Sequence, residues 1–172
     1  MRVYVPLTLP GLAEAHRTGE LGADRVSVYA ATPVLADWYE SQDEEELEYA
    51  ALGLAAHASL RLLALDPAAP RRRVVVAVDV ADGVVDLSPE AMGEALVPGP
   101  LRLAKAAAVH VDAEEARQDV AAAADALDAA DRDDVEAMNT VDLAADHDLL
   151  WFATQEIPAL VGGGEGGKDL PA

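Results

Sequence analysis

The stretch Arg71-Arg72-Arg73-Val74-Val75-Val76-Ala77-Val78-Asp79-Val80 decides the fold, because three cations lead into a long apolar run rich in β-branched residues. A strand with one face in water would alternate apolar and polar residues. A continuous valine run is instead typical of a strand that is covered on both faces. Pro70 precedes the run, and Asp82-Gly83 supplies a turn after it. The sequence therefore predicts an interior strand of a sheet with helices on both of its faces.

Further strands and helices are predicted on either side of this strand. Segments 2–9 and 25–31 are predicted strands, and the helix between them makes a βαβ pattern that favours parallel pairing. The other predicted strands cover 84–87, 94–97 and 106–111, and the predicted helices cover 10–18, 33–39, 43–65, 113–130 and 143–156. The predicted fold class is α/β, with α+β as the alternative, and it comprises a mixed sheet of four or five strands with helices packed on its faces.

Length and composition predict one domain with a finely packed core. The chain has 172 residues, which suits a single domain, and we assign that domain to residues 1–161. Hydrophobic residues make up 52% of the chain but aromatic residues only 4%, so the core must consist of Ala, Val and Leu. Residues 162–172 are rich in glycine and are predicted to be a disordered tail.

The charge of the chain limits its partners. A formal net charge of −20 repels nucleic acid and anionic membrane surfaces, whereas it suits basic proteins or divalent cations. The chain contains no cysteine, which excludes disulfides, thiol catalysis and thiolate metal sites. Residues 1–7 lack the features of a secretory signal, and no stretch reaches the ~18 apolar residues of a membrane span. We therefore expect a cytoplasmic protein.

Four segments carry a resemblance to a known family: residues 2–8 (RVYVPLT), 45–52 (EELEYAAL), 71–79 (RRRVVVAVD) and 151–158 (WFATQEIP). With these segments the chain resembles a family of uncharacterised actinobacterial proteins, over nearly its whole length short of the tail. The resemblance implies a cytoplasmic location and an unknown function. It transfers no catalytic residue to this chain.

A group of histidines and aspartates is the candidate for catalysis or metal binding. His110 and Asp112 lie two residues apart on a predicted strand, so their side chains share a face at its carboxyl end. That end is where ligands bind in open parallel sheets. Asp79 would lie beside them if the two strands pair, and the last helix would bring His147. Two histidines and two carboxylates suit a divalent metal that activates water.

Structural roles compete with this hypothesis. Asp112 can be the N-cap of the helix that follows it, and Asp79 can bond to backbone N–H groups of the adjacent turn. No HExxH spacing supports a metal site. The run Arg71-Arg72-Arg73 is interpreted as neutralising nearby acids, with phosphate binding as the alternative.

Aromatic residues are the candidates for partner binding. Trp151, Gln155 and Glu156 lie within about one helical turn and would line a pocket or anchor a partner. The competing interpretation, which the sequence favours, is that the rings of this segment pack its helix on the sheet. Trp38 and Tyr39 would form a similar aromatic lip.

Two functions of different classes follow from these residues. The first is a non-catalytic domain that binds a protein partner or itself, because catalytic and nucleotide-binding motifs are missing and the fold is explained by packing. The alternative is a small metal-dependent hydrolase that uses His110, Asp112, Asp79 and His147. The sequence predicts no organic cofactor.

Overall fold

Nine strands and six α-helices form in the described part of this computed structural model, which comprises residues 1–87 and 91–166, with side chains up to residue 162. The strands are β1 (Arg2–Leu7), β2 (Glu20–Leu21), β3 (Arg25–Ala30), β4 (Val74–Asp79), β5 (Asp86–Leu87), β6 (Glu94–Pro98), β7 (Leu101–Arg102), β8 (Ala106–Asp112) and β9 (Leu149–Phe152). The helices are α1 (Leu9–Thr18), α2 (Pro33–Tyr39), α3 (Glu44–Leu65), α4 (Arg117–Asp131), α5 (Val135–Ala145) and α6 (Ile157–Gly166).

Seven of the strands form one sheet in the order β5-β6-β3-β1-β4-β8-β9, and β2 pairs with β7 in a separate two-stranded sheet. All of the pairings among the described strands are antiparallel. The main sheet is therefore larger than the four or five strands that the sequence predicted. The fold class is α+β, which was the alternative.

The prediction of an interior valine strand is confirmed. β4 lies between β1 and β8, and Val74 through Val78 are buried. Val74, Val76 and Val78 pack on one face in the cluster that includes α1 and α6, whereas Val75 and Ala77 pack on the other face against α3. This pattern explains why the run does not alternate, because neither face of the strand meets water.

The predicted parallel pairing of the first two long strands is wrong. Val3 of β1 is paired with Ala30 of β3, so β3 ends where β1 begins. The intervening segment does not carry the chain back along the sheet. Helix α1 ends at Gly19, which has a φ of 80°, and β2 then turns aside to pair with β7. The helix is thus not a crossover, and the chain re-enters the sheet at the end it had left.

The helix predicted over 143–156 is also wrong. Helix α5 lies earlier, over Val135–Ala145, and most of it precedes the predicted helix. It begins where Asp134 accepts a hydrogen bond from the backbone N–H of Ala137 at 3.0 Å. The following residues form the edge strand β9. Leucine and aromatic side chains fit a half-covered strand as well as a helix, and so short an apolar run does not distinguish the two.

Helix α3 is fixed to the sheet by a hydroxyl group as well as by packing. Ser59 donates a hydrogen bond to the carbonyl of Leu7 at 2.7 Å and accepts one from the N–H of Val74 at 3.0 Å. It therefore joins the end of β1 and the start of β4 to the helix above them. Leu60 and Leu63 continue the same helix into a second core with α4 and α5.

The end of the chain lies partly outside the described residues. Helix α6 includes residues 162–166 of the predicted tail, and residues 167–172 are not described. In the ranges that are described, none of the helices combines the length and apolar character needed to cross a membrane.

Candidate functional site

Asp112 forms a buried ion pair with Arg73 where β4 begins and β8 ends. Its Oδ2 accepts hydrogen bonds from the backbone N–H of Arg73 at 2.7 Å and from Nε at 2.8 Å, and its Oδ1 accepts one from Nη2 at 2.7 Å. Asp112 is 0% exposed and Arg73 4%. Both oxygens of the carboxylate are therefore committed to one guanidinium group.

The role predicted for Asp112 as a helix cap is wrong. A single 3₁₀ turn, Glu114–Ala116, separates it from α4, and the residue before that turn has no side-chain cap. The carboxylate instead binds Arg73, which directly precedes the neighbouring antiparallel strand β4. The carbonyl of Asp112 accepts two hydrogen bonds from the guanidinium of Arg72, at 3.0 and 2.8 Å.

His147 lies at the same junction, in the turn between α5 and β9. Its backbone carbonyl accepts a hydrogen bond from Nη2 of Arg73 at 2.9 Å. Its ring nitrogen Nε2 is 2.7 Å from Oδ2 of Asp119, in the first turn of α4. The predicted meeting of His147 with Asp112 thus occurs through Arg73, and the imidazole ring is directed to a different carboxylate.

His110 lies on the face of β8 that α3 covers. Its ring centroid is 6.3 Å from that of Tyr4, with the planes tilted by 56°. Burial, with a smaller contribution from Arg2, lowers the pKa of His110, so that the neutral imidazole is favoured. Trp151 of β9 is its partner across the strands.

Asp79 lies at the opposite end of the sheet, and its predicted proximity to His110 is wrong. Two hydrogen bonds of 3.0 Å join its carboxylate to the guanidinium of Arg2, and these bonds lower the pKa of Asp79. In the antiparallel register, His110 is opposite Val75 of β4. Four residues of strand, roughly 13 Å, separate Val75 from Asp79.

The four predicted residues do not form a metal centre. Among residues 1–87 and 91–166, no cluster of three or more His, Cys, Asp or Glu residues is arranged to hold a metal ion. The carboxylate of Asp112 is occupied by Arg73, and that of Asp79 by Arg2. The geometry therefore offers no support for the metal-dependent hydrolase hypothesis.

A groove opens above the Arg73–Asp112 pair, between α3 and the segment that runs from α5 into β9. Its volume is about 170 Å³. Its apolar walls are formed by Leu52, Ala56, Leu60, Val141, Ala144 and Leu149, and its polar side chains by Tyr49, His57, Arg73, His147 and Asp148. The groove is the place where the structure gathers polar side chains from separate parts of the chain.

Tyr49, Asp148 and His57 are polar residues that line this groove beside its apolar walls. The hydroxyl of Tyr49 donates a hydrogen bond of 2.6 Å to Oδ1 of Asp148, which joins α3 to the turn before β9. Burial, and then the charge of Arg61, lower the pKa of His57. Its imidazole is thus favoured in the neutral form.

Sequence reasoning missed Arg73, Asp119 and His57 as members of this site. A signal existed for the first, because Arg73 immediately precedes one apolar strand run and Asp112 immediately follows another. Antiparallel pairing of these runs brings the two residues together, whereas parallel pairing separates them. The signal could be used only with the strand direction known.

The aromatic candidates lie on separate elements. Trp38 and Tyr39 form the end of α2 and are 68% and 47% exposed. Trp151 is 62% exposed on β9 rather than on a helix, so its ring does not serve as the predicted helix anchor. Gln155 and Glu156 follow in an exposed 3₁₀ turn, where the Glu156 carboxylate accepts a hydrogen bond from the N–H of Ala153 at 2.8 Å.

β9 is an edge strand whose outer side carries no further strand among the described residues. Its four residues are Leu149, Leu150, Trp151 and Phe152, of which Leu150 is 45% exposed. The opposite edge is β5, which has only two residues and carries Asp86. The two edges of the sheet therefore differ in length and in polarity.

Comparison with known proteins places the chain by family alone. No curated protein and no solved structure matches it. Residues 1–161 match the model of a family of unknown function, DUF6912. This match confirms the resemblance to an uncharacterised family that the sequence segments indicated. The chain belongs to this family of unknown function, DUF6912.

Proposed function

We propose that this chain is a protein-binding domain that takes up an extended, basic segment of a partner protein along the free edge of β9. The observation that carries the proposal is the character of that edge. It is four residues long, uncharged and partly exposed. Addition of a strand to such an edge is a recurring mode of peptide recognition, in which main-chain hydrogen bonds supply affinity.

The proposal is supported by a comparison of the two sheet edges, because β5 is protected against pairing with other chains and β9 is not. Natural sheets shield their edges with short strands, lysine, proline or bulges, because a free edge pairs with other chains. β5 follows this rule, since it has two residues and its Asp86 lies 3.3 Å from Arg25. β9 contains no charged residue and no proline. An unprotected edge in a strongly acidic protein supports a surface kept open for binding.

The side chains of β9 offer contacts on both faces of an added strand. Trp151 is on the α3 face together with His110, and its neighbour Leu150 points to the other face. An incoming strand would therefore set one of its side chains beside the indole and the next beside the leucine. Such cross-strand pairs each contribute roughly 0.2–1 kcal/mol.

Charge decides which kind of segment fits. Residues 133–167 include eight acidic residues and no Lys or Arg: Asp133, Asp134, Glu136, Asp142, Asp146, Asp148, Glu156 and Glu165. Asp148 directly precedes β9, and Glu156 follows it by four residues. A second copy of the chain would bring a further net charge of −20 to this edge. A segment with Lys or Arg between apolar residues is attracted instead.

Selection from a displayed library of random ten-residue peptides tests the proposal with the full chain. We expect the selected peptides to alternate apolar residues with Lys or Arg, and to shift the backbone amide resonances of residues 149–152 in NMR spectra. Selected peptides that are neutral or acidic, or that shift resonances elsewhere, would contradict the proposal.

A pair of variants separates the edge from general electrostatics. Leu150→Lys places a cation on β9, which blocks the edge as lysines do in natural sheets, and should weaken binding of a selected peptide roughly tenfold. Leu143→Lys changes the net charge equally at a residue of α5 that is 54% exposed, and should leave binding nearly unchanged. Light scattering measures whether the protein forms a dimer, and so tests whether a second copy of the chain occupies the β9 edge. A dimer that Leu150→Lys dissociates would assign the edge to self-association and overturn the basic partner.

A further inference from the structure

Arg73 retains hydrogen-bonding capacity beyond its ion pair with Asp112. Among the described residues, the side-chain hydrogen bonds of Arg73 are made by its Nε and Nη2 atoms, and Nη1 makes no hydrogen bond. Each fully buried side-chain nitrogen and oxygen atom in the described part of the chain has a partner. Nη1 must therefore keep contact with solvent, although Arg73 as a whole is only 4% exposed.

Arg73 is one of the residues that line the groove between α3 and the segment from α5 into β9. It contributes the polar floor beneath apolar walls that include Leu52, Leu60 and Val141. A guanidinium group whose Nη1 is not used by the described residues thus lines a mostly apolar depression. Donors in such a place favour an acceptor oxygen attached to an apolar body, because that combination satisfies the floor and the walls together.

The charges around the groove select an uncharged acceptor. The guanidinium charge of Arg73 is already balanced by Asp112 at 2.7 Å. Asp148 lines the groove, and Asp119 lies 2.7 Å from the ring of His147, which also lines it. A carboxylate ligand would be repelled by the carboxylate of Asp148, which lines the groove. A neutral carbonyl or amide oxygen avoids that repulsion.

The size of the groove limits the ligand to about one ring. Its volume of about 170 Å³ is close to the roughly 150 Å³ of an engineered apolar cavity that takes up benzene. We propose that this groove is a binding site for a small uncharged carbonyl compound, with the carbonyl oxygen on Nη1 of Arg73 and an apolar body of about one ring between α3 and α5. This site shares Leu149 with β9 but does not use the main-chain groups of the free edge, and it does not depend on the function proposed above.

Benzamide, benzoate and toluene are matched probes for this site, because they share a ring and differ in the group that would reach Arg73. NMR titrations of the full chain should show saturable shifts of the backbone amides of Gly53, Ala56 and Ala144 with benzamide, at a Kd of roughly 1 mM. Benzoate and toluene should bind at least several-fold more weakly. Benzoate binding as tightly as benzamide would overturn the uncharged class, and equal binding of toluene would overturn the role of Arg73.

A variant on the rim confirms the location without disturbing the Arg73–Asp112 pair. Gly53 lines the groove on α3, and a Cβ placed there meets no atom within 4 Å. Gly53→Leu should therefore fold normally, project into the groove and abolish the benzamide shifts. Ala64→Leu, at an exposed position of the same helix, should leave them intact. Unchanged benzamide binding by Gly53→Leu, or the absence of saturable shifts up to the solubility of benzamide, would overturn the site.

Discussion

Asp112 and Arg73 are charged residues in the interior, and their contribution to stability depends on both being present. Asp112→Asn keeps the shape of the side chain but leaves the guanidinium of Arg73 without a counter-charge at 4% exposure. Removal of one partner of a buried pair typically costs roughly 3–5 kcal/mol. We therefore expect urea denaturation of Asp112→Asn to show a loss of this size, or a failure to fold.

Asp79→Asn is the matched control for this prediction. It removes the carboxylate of an exposed pair with Arg2, in which the Asp79 side chain is 59% exposed. Exposed pairs contribute less than about 1 kcal/mol, so this variant should unfold at nearly the urea concentration of the parent. An equal loss in both variants would contradict the assignment of Asp112 as a special, buried partner.

His57 and His110 make stability depend on pH between about 5 and 7. Burial lowers the pKa of both rings in the folded protein, so below the ordinary histidine pKa of about 6.5 the unfolded chain takes up protons that the folded chain does not. Stability should accordingly decline as the pH falls through this window. The urea midpoint of the double variant His57→Gln/His110→Gln should decline less between pH 7 and pH 5. An identical decline in parent and variant would contradict the contribution of these rings.

At the scale of single elements, substitution of alanine for two glycines should change the stability of the protein in opposite directions. Gly53 lies inside α3, where alanine is favoured by roughly 0.5–1 kcal/mol because it loses less backbone entropy. Gly19 ends α1 with a φ of 80°, a conformation that costs L-residues roughly 1 kcal/mol or more. A Cβ at either glycine meets nothing within 4 Å, so packing does not interfere.

Thermal denaturation of the two variants checks this prediction. Gly53→Ala should melt above the parent protein and Gly19→Ala below it. If both variants melted on the same side of the parent, backbone conformation would not be the deciding property of these two positions.

The sequence determined the elements of this fold better than their directions. The valines of β4 predict an interior strand from composition alone, because burial on both faces removes the need for polar residues. The direction of β3 relative to β1 depends instead on where residues 19–24 turn, and that turn is set by the distant pairing of β2 with β7. Local patterns do not contain such a contact.

Prediction of the candidate site from the sequence also depends on the strand directions. The sequence predicts His110, Asp112 and His147 as site residues, and Asp112 and His147 do lie at the junction with Arg73. Their grouping with Asp79 assumed parallel strands, and antiparallel pairing moved Asp79 to the far end of the sheet. The sequence predicts a helix at Trp151 instead of a strand, because the four apolar residues of β9 are too few to show a period.

At the scale of the whole molecule, apolar burial in the sheet stabilises the fold, whereas repulsion between surface charges destabilises it. The interior of β1, β4 and β8 is covered on both faces by helices, so its stability comes from apolar burial. The surface carries a net charge of −20, with 32 acidic residues against 12 basic ones. Most ion pairs of the described residues lie on this surface and are individually weak. The remaining like charges repel one another, and this repulsion favours the expanded chain.

Salt should therefore stabilise this protein. Raising the NaCl concentration from about 0.01 M to about 0.15 M shortens the screening length from roughly 30 Å to roughly 8 Å, which suppresses the long-range repulsion between acidic residues more than it weakens contacts at 3 Å. We expect the thermal midpoint to rise over this range, and to rise equally in KCl if screening is the cause. Removing two exposed acids with Asp142→Asn/Asp146→Asn should raise the midpoint at low salt and reduce the response to added salt. A midpoint that falls on adding salt would mean that the surface ion pairs outweigh the repulsion.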